Sequence, residues 1–161
     1  MNLQKLFQMQ NTLDHRIQVQ HNLEGVPLLQ KKILSLQVEL GELANETRCF
    51  KFWSTKKPSS NDVILEEYVD CIHFILSLGI EKNFQDITLN TKCITSELSQ
   101  QFLTVYTNIS DFIICSSLDN YLNIFQNFLS LGQNLGFSEE DIENAYFYKN
   151  KINHERQDNG Y

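Results

Sequence analysis

Glu39 and Glu42 stand three residues apart in "ELGELANE" (39–46), and Glu67 and Asp70 repeat the interval in "LEEYVDCIHFILSLG" (65–79). In a helix that step puts both carboxylates on one face. Glu46 continues the first face by a turn, and Glu66, four residues before Asp70, extends the second. Two antiparallel helices joined by a loop would bring four or five acids together. For the helix of Glu39, a solvated acidic face is an equal alternative. Asp70 is harder to place in water. Apolar residues go all the way round its helix (Val63, Ile64, Leu65, Tyr68, Val69, Cys71, Ile72, Phe74, Ile75, Leu76, Leu78), which marks a buried element. An unpaired buried carboxylate costs several kcal/mol or takes up a proton. A compensating cation must therefore come from elsewhere. A lysine or arginine from another element is one source. A hard divalent ion suits several converging carboxylates better, and Mg²⁺ takes carboxylate oxygens, keeps waters and serves phosphates.

The second chemical group is basic. Lys149, Asn153 and Arg156 follow at steps of four and three, so they share one helical face. The guanidinium fork of arginine matches phosphate oxygens. Composition alone favours a solvated C-terminal helix.

These side chains need long helices to carry them. The chain of 161 residues has two prolines and six glycines, few for a strand-rich fold with many turns. Leu3, Leu6, Phe7, Leu13 and Ile17 recur at helical intervals over residues 3–22. "EGVP" breaks the pattern, and Pro27 suits the first turn of a second helix running to about Glu46. "TRCFKFWSTKKPSSN" reads as a loop ending in a cap at Ser60 or Asn61, and a third helix follows over about 62–82. Residues 83–92 form a linker. A fourth helix spans about 93–117, carrying Ile94, Leu98, Phe102, Val105, Ile109 and Ile113, and "SSLDN" ends it. A fifth, "YLNIFQNFLSLGQNLG", stops at Gly136. Ser138, with Asp141 three residues on, opens a sixth through something close to a capping box. The expected fold is all-α, a bundle of five to six helices in one domain over 1–161.

Bulk properties exclude several function classes. The formal net charge of −7 argues against binding nucleic acid or an anionic membrane by bulk attraction. No apolar run reaches membrane-spanning length. The N-terminal stretch reads as an amphipathic helix and not as a signal peptide, so the expected location is the cytoplasm. Cys49, Cys71, Cys93 and Cys115 form no C-x-x-C pair and read as reduced, mostly buried thiols.

Four stretches, "ELGELANE" (39–46), "CFKFWS" (49–54), "EEYVDCIHFILSLG" (66–79) and "YFYKNKINHERQDNGY" (146–161), resemble the dimeric all-α dUTPases of the all-α nucleoside triphosphate pyrophosphohydrolase superfamily. Residues 1–82 and 138–161 carry the resemblance, and 83–137 match by helical character only. The resemblance implies hydrolysis of dUTP, and also of dUDP, to dUMP. Two or more Mg²⁺ ions would sit between the phosphates and Glu39, Glu42, Glu67 and Asp70, with Glu42 helping to take a proton from the attacking water. In the family, attack is taken to fall on the β-phosphate. The closing motif at 146–161 would place Lys149, Asn153, Arg156 and Tyr161 on the phosphates and order as nucleotide binds. A homodimer is also implied.

For the base and sugar, Gln10 and Asp14, one turn apart, could read uracil's carbonyl and N–H groups or the sugar, or simply lie exposed. Trp53 could stack on the base or serve a core or an interface. His73 and Phe74 could line the base pocket, although a lone histidine on an apolar face is usually a satisfied core residue. Two other readings compete: a sibling pyrophosphohydrolase for dCTP or another nucleotide, and a non-catalytic helical interaction module. A ferritin-like di-iron site fails because Glu39, Glu66 and Glu67 all lack a histidine three residues on.

Overall fold

The structure, a computed structural model, describes residues 1–89 and 96–160. Among them lie six helices and no strand: α1 (Leu3–Gln20), α2 (Leu29–Thr47), α3 (Asn61–Glu81), α4 (Leu98–Ile114), α5 (Leu118–Asn134) and α6 (Glu139–Asp158). The all-α expectation holds. No described helix is long and apolar enough to cross a membrane.

α3 is the central element. It packs against α1, α2, α5 and α6, while α4 closes the far side against α2 and α5. Its all-round apolar surface has the predicted consequence: Ile64, Tyr68, Val69, Cys71, Ile72, Ile75, Leu76 and Leu78 are buried. Only Val63, near its start, is exposed among its large apolar residues. Two reciprocal contacts fix α3 against α5. Tyr68 stacks on Phe128 at 4.4 Å between ring centres and donates to the Phe128 carbonyl at 3.1 Å. Tyr121 of α5 donates to the Ile75 carbonyl at 3.0 Å. Each phenol lies over a glycine of the opposite helix, and a methyl group at Gly79 would stand 2.7 Å from Cζ of Tyr121.

α2 and α3 run antiparallel. The Ser59 N–H donates to the Glu46 carbonyl at 3.0 Å, so α3 begins beside the end of α2. Lys32, early in α2, pairs with Glu81 at the end of α3 at 2.8 Å. α1 and α6 run in the same direction, since Asn2 meets Glu143 and Arg16 meets Asp158.

The element ends show how local chemistry decides boundaries. Ser138 accepts from the Asp141 N–H while the Asp141 carboxylate accepts from the Ser138 N–H, a complete capping box. Gly136 has φ +89°, and the bonds Phe137 N–H to Gly132 O and Gly136 N–H to Gln133 O form a Schellman end. Other boundaries differ from the sequence expectation. Pro27 lies outside the first turn of α2, because the Lys32 N–H bonds to the Leu28 carbonyl at 3.0 Å and makes Leu28 the cap. α4 starts at Leu98 instead of 93 and ends at Ile114 instead of 117; Cys93 and Ile94 lie outside the described residues. α5 starts three residues early, because the Ser117 hydroxyl caps it by accepting from the Asn120 N–H. Among the described residues, Cys49, Cys71 and Cys115 are free; Cys71 is buried, Cys49 is half-buried and Cys115 is exposed, where it follows the end of α4.

Candidate active site

α2 presents Glu39, and α3 presents Glu67 and Asp70. Carboxylate oxygens of the three lie within 4.8 Å of one another. The i, i+3 spacing on α3 and the antiparallel neighbour together make this cluster. Glu42 stands outside the triad and is exposed, yet its charge reaches both Glu39 and Glu67. Glu46 is occupied elsewhere, accepting from the Ser59 hydroxyl.

The compensating charge for Asp70 comes partly from within the chain. Lys149 of α6 is nearly buried and pairs with Asp70 and Glu66, each at 2.7 Å. Burial works to lower the Lys149 ammonium, but hydrogen bonds to Asp70 and Glu66 outweigh it, and its pKa is raised. Burial raises the Asp70 carboxyl, and Lys149 opposes that rise. One ammonium does not neutralise the group. Burial, with Asp70, Glu42 and Glu67 nearby, pushes the Glu39 carboxyl up to about 7, and Glu67 is raised by burial and by Asp70 and Glu42. That surplus of negative charge, on oxygens at mutual ligand distance, fits a divalent cation.

Beside the acids lies a cavity of about 340 Å³ between α1, α2, α3 and α6. Glu39 and Asp70 form one part of its wall; Gln10, Asp14, His73, Phe74 and Ser77 form another. Asn153, Arg156 and Gln157 contribute from α6, and Leu13 and Ile17 from α1. So Gln10, Asp14, His73, Phe74, Asn153 and Arg156, selected from the sequence, converge on one space with the acids. Arg156 is exposed, and its charge acts to lower Asp70. Trp53 does not line this cavity. It is 66% exposed and meets Phe52 and Phe50 edge-on at 5.0 and 6.1 Å between ring centres. Tyr161 lies outside the described residues.

The part of the wall beyond the acids is a connected polar chain. Asp14 accepts from the Ser77 hydroxyl, from Gln10 Nε2 at 2.6 Å and from Lys32 Nζ at 3.4 Å. Gln10 Oε1 faces His73 Nδ1 at 2.7 Å and the Tyr146 hydroxyl at 2.8 Å. His73 stacks on Tyr146 at 4.2 Å and is 5% exposed; burial, aided by the Lys149 charge, lowers its pKa to about 3, so the ring is neutral. Sequence reasoning missed Ser77, Tyr146 and Lys32. Ser77 was findable, four residues after His73 on the Asp70 face. Tyr146 and Lys32 had no local signal, because each reaches the site from another helix.

The acids, the neighbouring cavity and the basic α6 face together suit a phosphorylated ligand with a polar head group. No curated protein matches the chain by sequence. A family model described as dUTPase matches residues 2–161, and the chain therefore belongs to the dUTPase family and is a dUTP diphosphatase.

Proposed function

We propose that this dUTP diphosphatase also hydrolyses dUDP and that it works with two or more Mg²⁺ ions held by Glu39, Glu42, Glu67 and Asp70. The observation that carries this reading is the carboxylate triad, two of whose members, Glu39 and Asp70, lie on the wall of a cavity of about 340 Å³. Magnesium, when bound, supplies the positive charge that phosphate oxygens need as the reaction proceeds. Glu42, exposed beside the triad, helps take the proton of the attacking water. Asn153, Arg156 and Tyr161 hold phosphate oxygens by hydrogen bonds and charge. Lys149 joins them once other cations neutralise Asp70 and Glu66, its partners in the free protein. Gln10, Asp14, His73 and Phe74 enclose the base and sugar, and Leu13, Ile17 and Phe74 supply the apolar part of the wall that keeps water from the base.

Trp53 then belongs to an interface. Leu34 and Val38, one turn apart on α2, are 61% and 50% exposed, and Phe52 is 93% exposed. Large apolar side chains in these positions support a homodimer, since water would otherwise cover them. Nucleic acid and membranes are not partners in this reading, and the enzyme works in the cytoplasm.

The test is steady-state hydrolysis of dUTP, dUDP, dCTP, dTTP and UTP with and without Mg²⁺, with Asp70→Asn as control. Hydrolysis of dUTP and dUDP that needs the metal and is lost in the variant supports the reading. Preference for dCTP would favour a sibling pyrophosphohydrolase, and turnover unchanged by EDTA would end the metal assignment.

A further inference from the structure

We infer that Gln10 is a positioning residue: it fixes His73 in the one tautomer whose free nitrogen selects uracil over cytosine. The inference rests on the reading of this cavity as the base site. It begins at Asp14, a carboxylate, which can only accept hydrogen bonds. The Gln10 atom at 2.6 Å from Asp14 Oδ1 must then be the amide nitrogen. That choice turns the Gln10 carbonyl toward His73 and Tyr146, and a carbonyl accepts only. Both partners therefore donate, and the neutral His73 ring carries its proton on Nδ1.

Nε2 is left with a lone pair. It is buried and has no hydrogen-bond partner, while the ring itself lines the cavity. A buried acceptor without a donor is costly and is a poor structural feature by itself. Uracil supplies the missing donor at N3–H. Cytosine presents a lone pair at N3 and meets the Nε2 lone pair head-on. His73 could suit cytosine only by moving its proton to Nε2. Nδ1 would then need a donor, and Gln10 would have to reverse and set its carbonyl against the Asp14 carboxylate. Lys32 and Ser77 hold Asp14 in place, so the lock extends across α1, α2 and α3. Thymine has the same N3–H as uracil, so this device does not separate the two.

Two measurements test the inference on the full chain. The first is a long-range ¹⁵N–¹H correlation spectrum of the four histidines at neutral pH, with His73 assigned by substitution. The expected result is a protonated Nδ1 and a bare Nε2 that shifts when Mg²⁺ and dUMP are added. A protonated Nε2 in the free protein would overturn the positioning role and leave the enzymatic reading intact. The second is kcat/KM for dUTP, dCTP and dTTP in Gln10→Leu and Tyr146→Phe. In Gln10→Leu the dUTP:dCTP ratio is expected to fall by about tenfold or more, the worth of one hydrogen bond, while dUTP:dTTP stays constant. Tyr146→Phe keeps the ring on His73 and gives a smaller fall in the same direction. Equal losses for all three nucleotides would overturn the inference. If Gln10→Leu does not fold, the wild-type spectrum and Tyr146→Phe decide. A wild-type protein inert to dUTP would remove the functional reading and the selectivity role together.

Discussion

Replacing Glu39 with glutamine is expected to stabilise the metal-free protein above neutral pH and to remove most of its response to magnesium. In the folded chain burial and the neighbouring acids raise this carboxyl from an ordinary 4.5 to about 7. Below 4.5 the group is protonated in folded and unfolded chains alike, so the wild type loses nothing there. As pH rises from 4.5 through 7, the unfolded chain gives up this proton first, and stability falls; above 7 the loss is complete. The interval is equivalent to at most about 3.4 kcal/mol. Glu39 is only half-buried, and solvent screening reduces that to about 1–2 kcal/mol. For a chain of this size the gain in Tm is roughly 2–8 °C. The assay is thermal unfolding of wild type and Glu39→Gln in EDTA and in Mg²⁺, from about pH 4 to about pH 8. The variant should match the wild type at the acid end and exceed it at the alkaline end. With Mg²⁺ the wild type should rise and the variant should not. Equal Tm in EDTA across the range, or an equal response to Mg²⁺, would refute a cluster short of positive charge.

Asp70→Asn should lower turnover of dUTP by roughly 10²–10³-fold while leaving the far-UV circular dichroism unchanged. Gly79→Ala forces a methyl group to 2.7 Å from Cζ of Tyr121, and overpacking of that kind should cost about 1–3 kcal/mol, read as a lower urea midpoint. Leu34→Glu combined with Val38→Glu should leave the helical spectrum intact and reduce the light-scattering mass to that of one chain; an unchanged mass would exclude this face from a dimer.

Much of the molecule was legible in the chain itself. The apolar residues around α3 announced a buried helix, and burial of Tyr68, Ile72 and Ile75 follows directly. Ser138, Asp141 and Gly136 marked element ends through bonds that span a few residues. The start of α5 was misplaced, since Ser117 and Leu118 looked like a breaker and proved to be the cap and first turn. The start of α4 was also misplaced, because apolar periodicity extends past the point where the backbone leaves the helix. The pairs Glu39 with Glu42 and Glu67 with Asp70 were visible because a three-residue step aligns side chains within any helix.

What no local pattern contained was the meeting of helices distant in sequence. Lys149 on Asp70, Tyr146 and His73 on the same Gln10 carbonyl, and Lys32 on Asp14 all depend on how α1, α2, α3 and α6 pack. The exclusion of Trp53 from the cavity is of the same kind. By itself the sequence determined which side chains share a helical face, since that depends on 3.6 residues per turn. Only the tertiary structure decided which faces meet, because burial rewards any close packing and the charges and hydrogen-bond donors that end up opposed are set by the packing that wins.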